Sequence, residues 1–375
     1  MLANGGVPLV TLMEDVIVYE LRALGFGPFF EQQIQAPGEG ETIPARVAAG
    51  HRGAYEVWST TGVGRAQLTG RLRLEADTAG APAVGDWVVV RDAPRPESTT
   101  VIERVLGRRT AFTRGVAGRQ ARAQVVAANV DLVFVVTGLD LDFSVRRIER
   151  YVARIWASGA QPAVILNKAD VCAECVARVA EVEKHCAGVA VHVTSAFHSQ
   201  GIESVRASIR HGMTVALVGS SGVGKSTLVN ALLGEERLRT GPVRASDGRG
   251  CHVTTRRELF LLPGGGLLLD TPGMRELQLP DEDGLDAVFG DIAAIGERCR
   301  YRDCRHGTEP GCAVRAAVAS GELDAARFEH HQQLEREAQA YELRHDARKR
   351  KQAARRWGRV HEEANLQRKW KGGKP

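Results

Sequence analysis

The chain holds little with which to enter or cross a membrane. No apolar run approaches the ~18 residues that span a bilayer. Glu14 and Asp15 interrupt the apolar stretch Val7–Tyr19, and no basic segment precedes it. A signal peptide is therefore not expected, and a cytoplasmic protein without a membrane partner is. Cysteine is sparse too. Seven of them, an odd number in 375 residues with no export signal, point to thiols and metal ligands rather than a disulfide framework. Aromatics stop at 5%, while 41 glycines suggest many turns or ligand sites lined by backbone. The rest is ordinary for a folded protein: 43% hydrophobic and 25% charged residues exclude collagen-like, low-complexity and wholly disordered chains. At ~150 residues per domain, the length allows two or three domains.

Charge is unevenly placed. From Arg344 to Pro375 there are twelve Lys and Arg against Asp346, Glu362 and Glu363, an excess of nine. The whole chain is +5, so the other 343 residues sum to −4. Such a tail suits a polyanion, because each phosphate contact releases condensed counterions. A solvated helix that keeps the protein soluble is the plainer alternative.

Residues 1–40 show no clear pattern and are set apart as an N-terminal extension. Ala45–Ser59, Gly64–Arg73, Asp86–Arg91 and Thr100–Val105 are extended stretches separated by Gly, Pro and Asp. This predicts a small β-barrel over 41–110, of the oligonucleotide-binding (OB-like) kind or an SH3-like one. Arg108–Arg122 carries five arginines with little apolar patterning and reads as a basic linker. Beyond it, apolar β-branched runs (Asp131–Val136, Ala163–Leu166, Val189–Val193, Val215–Val218) alternate with helical patterns (Val145–Ala157, Ala173–His185, Ile202–His211). Arg257–Leu262 and Gly266–Asp270 add two strands. The alternation predicts a parallel sheet covered by helices, an α/β domain over 111–280. From Asp281 the pattern turns helical around a Cys/His cluster, giving a mainly helical domain at 281–343 and the basic tail at 344–375.

Gly219, Ser220, Ser221, Gly222, Val223, Gly224, Lys225 and Ser226 spell G-x-x-x-x-G-K-S, followed by Thr227. The run follows an apolar strand and opens a helical stretch, the context that a phosphate-binding loop requires. Glycines let backbone N–H groups curl around phosphate oxygens at the positive end of the helix. Lys225 would reach the β- and γ-phosphates, and the Ser226 hydroxyl would ligate Mg²⁺. Further on, a strand ends in Asp270-Thr271-Pro272-Gly273. Asp270 is placed to hold Mg²⁺ through water, and the Gly273 N–H to sense the γ-phosphate. Thr254 and Thr255 lie in the polar loop between, where a threonine bound to Mg²⁺ only beside a γ-phosphate would make a switch.

Asn167, Lys168, Ala169 and Asp170 directly follow a strand. A carboxylate there can accept two hydrogen bonds from guanine N1 and N2, which adenine cannot offer, with Lys168 across the purine face. Thr194, Ser195 and Ala196 end the next strand and fit a loop that contacts guanine O6. The order is unusual. Ordinary GTPases read guanine after the phosphate loop, whereas here the guanine motifs come first, so the chain is circularly permuted. The segment Asp270–Gly273 then leads straight toward the C-terminal region.

Cys299-x4-Cys304-x-His306-x5-Cys312 offers three thiolates and an imidazole within 14 residues. One structural Zn²⁺ with four protein ligands is the expected occupant. Cys172 and Cys175 form a second close pair, read as ordinary helix thiols; Cys251 lies in the switch loop.

Together the barrel, the permuted GTPase and the Cys-x4-Cys-x-His-x5-Cys segment resemble the circularly permuted, ribosome small subunit-dependent GTPase family (ribosome biogenesis GTPase A). The resemblance covers roughly residues 40–340 and includes Gly248-Arg249-Gly250, Arg302-Asp303-Cys304 and Glu309-Pro310-Gly311-Cys312. It implies GTP hydrolysis to GDP and phosphate, coupled to late maturation of the small ribosomal subunit, with barrel and zinc domain touching ribosomal RNA. The family's switch loop usually reads Arg-His-Thr-Thr-Thr; here it reads Cys251-His252-Val253-Thr254-Thr255, which makes Thr255 the preferred Mg²⁺ ligand. Met274 stands where many GTPases carry a water-orienting glutamine, leaving His252 as a candidate for that task. The expected protein is a monomer. A GTP-switched RNA-binding assembly factor, and a regulatory GTPase that does not act on the ribosome, remain alternatives.

Overall fold

The computed structural model describes residues 10–13, 16–34, 43–51, 53–79, 81–116, 122–238, 257–270 and 288–345. The chain divides into two compact units, one comprising 1–114 and 124–277, the other 115–123 and 278–375.

In the first unit a short antiparallel hairpin, β1 (Val10–Met13) with β2 (Val16–Tyr19), is followed by helix α1 (Pro28–Ile34). A barrel comes next: β3 (Ile43–His51), β4 (Ala54–Ser59), β5 (Gly62–Leu68), helix α2 (Gly70–Ala79), β6 (Trp87–Val90) and β7 (Thr99–Val105). The strand order is β3-β4-β5-β7-β6, and β6 pairs back onto β3 to close the ring. Only the β5–β7 pair is parallel. This five-stranded closure, with its helix between the third and fourth strands, is the oligonucleotide-binding arrangement. Alternation explains it locally: successive residues of β5 point in and out of the barrel, and Val47, Val57, Ala66, Val88, Val90 and Ile102 fill the interior. The stretch expected as one strand over Gly64–Arg73 breaks at Leu68. Thr69 Oγ1 accepts from the Leu72 N–H at 3.2 Å, a helix cap that turns the chain into α2.

Two regions differ from the sequence reading. The supposed linker contains β8 (Ala111–Val116), paired with β9 (Arg122–Ala128). Its arginines mask a buried anchor, Phe112, opposite a strand whose Val126, Ala127 and Ala128 are wholly buried. The N-terminal stretch packs on the barrel through the scarce aromatics. Tyr19 stacks on Trp58 with centroids 4.9 Å apart, and Phe26 and Phe30 lie 4.7 and 5.8 Å from buried Trp87. Beneath them sits Arg46, only 1% exposed. Its guanidinium donates to the carbonyls of Leu24, Gly85 (3.3 Å) and Asn129 (3.1 Å), so one buried cation fastens three chain segments. Burial pushes its pKa down to about 10, with Asp131 and Asp86 opposing the fall.

The α/β part has the strand order β12 (Ala190–Val193), β11 (Gln161–Asn167), β10 (Leu132–Gly138), β13 (Thr214–Val218), β15 (Leu267–Asp270), β14 (Glu258–Leu261). The first five are parallel and β14 is antiparallel. β10 is buried along its whole length, as a central strand covered on both faces must be. Helices α3 (Val145–Ala157), α4 (Cys175–His185), α5 (Ile202–Ala207) and α6 (Lys225–Leu233) cover the faces. On α3 the buried residues Ile148, Val152 and Ile155 recur at helical spacing. The chain runs outward from β10 to β12, then returns to β13 on the other side of β10. That reversal creates a crevice at the carboxyl ends of β10 and β13, where α/β sheets bind ligands. The far edge, β14, pairs with β3 at Glu258 and Ala49, so barrel and α/β part share one 11-stranded sheet.

The second unit contains α7 (Gly290–Gly296), α8 (Ala313–Ser320) and α9 (Ala325–His345). Val314, Ala317, Ile292, Leu323 and Leu334 form its interior. Arg327 grips Asp291 with two 2.8 Å bonds. No described helix is long and apolar enough to cross a membrane.

Candidate nucleotide and metal sites

The loop of residues 219–224 joins β13 to α6, and Lys225, Ser226 and Thr227 form the first turn of that helix. Gly219, Gly222 and Gly224 have φ of 142°, 82° and 95°, values that L side chains resist. Space forbids a side chain as well. A Cβ on Gly219 would collide with the Val136 carbonyl, and one on Gly224 with the Asn167 amide. Ser220 and Ser221 occupy ordinary backbone, so the glycines alone make the curl, while buried Val223 anchors the loop from below. The Lys225 ammonium donates to the carbonyls of Gly219 (2.9 Å) and Ser220, which holds its charge within the loop.

The guanine motif meets this loop through Asn167, which is 2% exposed. Its Nδ2 donates to the Val223 carbonyl at 2.8 Å. Its Oδ1 accepts from the Thr194 hydroxyl and from the Ala196 N–H, both at 3.0 Å. One amide thus joins the phosphate loop, the end of β11 and the loop after β12. The left-handed backbone of Lys168 (φ 65°) ends β11 and turns residues 169–171 into a single 3₁₀ turn that presents Asp170. Ser195 Oγ donates to Asp170 Oδ1 at 2.5 Å, and that bond above all holds the carboxyl below its ordinary pKa. Asp170 is exposed and ionised at neutral pH, an acceptor fixed in direction. The Lys168 ammonium is held 2.6 Å from Asp140 Oδ2. Burial raises the Asp140 carboxyl, but the Lys168 bond and the Asp142 N–H outweigh it and leave it below the usual range.

Sequence reasoning missed Asp140, which orients Lys168, and the bracing role of Asn167. A signal for Asp140 existed: an acidic residue two positions beyond the strand that pairs Gly138 with Asn167. Asp270 ends β15, one step past the Ala216–Leu269 pair with β13, so it too lies at this edge of the sheet. Cys251, His252, Thr254, Thr255, Gly273, Met274 and the tail beyond 345 lie outside the described residues.

In the second unit the ligand atoms of Cys299, Cys304, His306 and Cys312 all fall within 4.8 Å of one another. His306 Nδ1 lies 3.6 Å from Cys299 Sγ and 3.5 Å from Cys312 Sγ. Tetrahedral zinc, with Zn–S of ~2.3 Å and Zn–N of ~2.1 Å, would set sulfur and nitrogen roughly 3.6 Å apart. The residues therefore fit the ion. Backbone groups support the charge: the Ala313 N–H donates to Cys299 Sγ (3.3 Å) and the Arg315 N–H to Cys312 Sγ (3.5 Å). Burial raises the Cys299 thiol, yet the N–H groups of Val314 and Ala313 bring it below the usual thiol value. Left-handed backbone at His306 (φ 58°) and Gly311 (φ 78°) folds the loop around the four ligands.

The sequence model of the RsgA GTPase family matches residues 105–280. The small ribosomal subunit biogenesis GTPase RsgA of Opitutus terrae is 48% identical over 336 residues, spanning 86% of this chain and 91% of that protein. The chain belongs to the RsgA GTPase family. Members of this family hydrolyse GTP, and this chain is such an enzyme. RsgA 2 of Vibrio parahaemolyticus is 42% identical over 318 residues, covering 84% of this chain and 85% of its own. Among solved structures, YjeQ of Thermotoga maritima aligns with a TM-score of 0.60 at 27% identity, over 80% of this chain and 99% of that one. YloQ, described as a circularly permuted GTPase, aligns with a TM-score of 0.58 at 22% identity over 82% and 98%, which shows the shared fold.

Proposed function

We propose that this GTPase acts in late maturation of the small ribosomal subunit, as a cytoplasmic monomer that binds GTP, GDP and ribosomal RNA. The observation that carries the reading is the Asn167 bracket, which couples a guanine-reading turn to a phosphate loop in a chain that also bears an oligonucleotide-binding barrel. Relatives named for small-subunit biogenesis support the partner. In this reading the working parts are the extension 1–40, the barrel 41–110, the GTPase 111–280, the zinc-binding segment 281–343 and the basic tail.

Asp170 accepts from guanine N1 and N2, Lys168 lies over the purine, and Ser195 and Ala196 complete the base pocket. Residues 219–224 and the first turn of α6 wrap the phosphates. Lys225 moves its charge from the loop carbonyls onto the β- and γ-oxygens. Ser226 and Thr255 would hold Mg²⁺, with Asp270 behind them, and the ion would neutralise charge developing on the γ-phosphate. Gly273 senses that phosphate, and His252 positions the attacking water. Zinc at the Cys₃His site is structural, since four protein ligands leave no open position.

The test is single-turnover GTP hydrolysis, alone and with small subunits, large subunits or free RNA. Strong acceleration by small subunits, lost in Lys225→Ala, is the expected outcome. Acceleration by free RNA alone would favour an RNA-binding factor outside the ribosome, and no acceleration by any of them would remove the ribosomal assignment.

A further inference from the structure

Cys172 and Cys175 follow the guanine-reading turn directly, and the nucleotide site makes no use of their chemistry. Cys172 closes the 3₁₀ turn of residues 169–171, and Cys175 is the first residue of α4. Ala173 and Glu174 form the turn between them. Residues that bracket a four-residue turn have Cα atoms under ~7 Å apart, which overlaps the ~4.4–6.8 Å that a disulfide spans. The sulfur of Cys175 is already directed at its neighbour, donating to the Cys172 carbonyl at 3.3 Å. It also reaches the Ala169 carbonyl at 3.7 Å, inside the guanine motif. Burial, then a hydrogen bond with the Cys172 thiol, raises the Cys175 thiol above its ordinary pKa. Both residues are partly exposed, so an oxidant in solution can reach them.

We propose that Cys172 and Cys175 are a reversible oxidation site, in which a disulfide between them loosens the turn that carries Asp170 and weakens guanine nucleotide binding. The effect on affinity rests on the reading of Asp170 as the guanine acceptor; the disulfide does not. The oxidant is a low-molecular-weight disulfide such as oxidised glutathione. The thiolate of one cysteine attacks it, forming a mixed disulfide and expelling one small thiolate. The second cysteine, deprotonated, attacks the protein sulfur of that mixed disulfide. The S–S bond closes and the second small thiolate leaves. The two protons lost by the cysteines end on the two small thiols, so the pair is oxidised by two electrons and the small disulfide reduced by two. Closed in this way, Cys175 has no S–H left for the carbonyls of Ala169 and Cys172. The 3₁₀ turn loses the side-chain tie between Ala169 and the start of α4, so Asp170, still bonded to Ser195, sits on a less firmly held turn. One hydrogen bond of ordinary net strength corresponds to roughly a five-fold change in affinity. In a reducing cytosol such a bond is transient, which suits a sensor rather than a staple.

The zinc-loaded full chain is equilibrated in glutathione buffers from fully reduced to mostly oxidised, quenched by alkylation and cut with trypsin. The peptide 169–178, which contains only these two cysteines, should shift from doubly alkylated to unalkylated and two hydrogens lighter as the buffer becomes oxidising. GDP binding, followed with a fluorescent GDP analogue, should weaken several-fold in parallel and recover on reduction. Cys172→Ser keeps the thiol of Cys175 on its carbonyls, so it should bind GDP like the parent and not respond to the buffer. Two alkylated cysteines at the oxidised end, or a cross-link to Cys186, overturns the site. A disulfide that forms without changing GDP affinity overturns the coupling. A protein that binds no GDP in either state overturns the guanine reading itself, and the peptide mass then decides the disulfide alone.

Discussion

The bond network at Asn167 gives a sharp way to test whether the guanine and phosphate halves of the site work as one. In Asn167→Asp the side chain keeps its shape, and one carboxylate oxygen still accepts from Thr194 and Ala196. The other faces the Val223 carbonyl, which had a donor at 2.8 Å and now meets an acceptor. Leaving a buried acceptor unsatisfied costs about 1–3 kcal/mol. If nucleotide binding needs the phosphate loop in its braced position, that cost returns as weaker affinity, roughly five- to a hundred-fold at 1.4 kcal/mol per decade. Asn167→Ala loses all three bonds and should cost more, in both affinity and thermal stability. The aspartate carries an internal control. Burial raises a carboxyl pKa, and once protonated the group can again donate to Val223, so the defect should shrink as pH falls. Fluorescent GDP titrations from neutral to mildly acid pH, with unfolding followed in parallel, provide the measurement. An Asn167→Asp protein that binds GDP like the parent at neutral pH would refute the coupling. One that only melts earlier would make the bracket purely structural.

Other consequences are testable in the same preparation. Asp170→Asn should weaken GTP and favour xanthosine nucleotides, since the new amide donor matches a carbonyl at purine C2; equal affinity of the parent for ATP and GTP would count against guanine reading. Metal analysis should find one zinc per chain, and chelation should loosen residues 288–345 in hydrogen exchange while the α/β sheet stays protected. Acid should act in the same direction on the second unit. His331 is buried, and burial above all lowers its pKa to about 4 from 6.5. The unfolded chain therefore binds the extra proton between those values, and the stability of this unit should fall as pH drops from ~6.5 toward ~4. Arg46→Met should lower unfolding stability by at least about 1–3 kcal/mol, the cost of leaving a buried carbonyl without its donor; a denaturant midpoint close to the parent's would refute its fastening role.

The sequence was most legible where a pattern had one physical solution. Val145–Ala157 is a helix with the expected bounds, because its apolar spacing suits nothing else. The glycine-rich loop before α6 and the four clustered Cys and His residues are local in sequence, so spacing alone predicts that each group lies together. Legibility failed where burial came from distant partners. Arginines hid β8, whose strand is fixed by Phe112 and by pairing with β9. Arg46 looked like any barrel arginine, and only the folded chain surrounds it with three carbonyls from segments 22 to 83 residues away. Asp140 became visible only when β10 and β11 were set in register.

Register also explains why the permuted order does not damage the site. The phosphate loop leaves β13 and the guanine turn leaves β11, and these strands do not touch. Each pairs in parallel with β10, Val135 opposing both Val164 and Val218. Both loops therefore emerge at the same end of the sheet, one strand-width to either side of β10. Two strand spacings of ~4.8 Å leave a gap that no backbone pairing bridges. The Asn167 side chain crosses it to Val223, and the same residue holds the loop after β12. Which strand comes first in the chain enters nowhere in this geometry. What the site requires is that β10 lie between its two halves and that a short amide span them. A change that shifts β11 or β13 by one residue against β10 would separate the halves even with every candidate site residue intact.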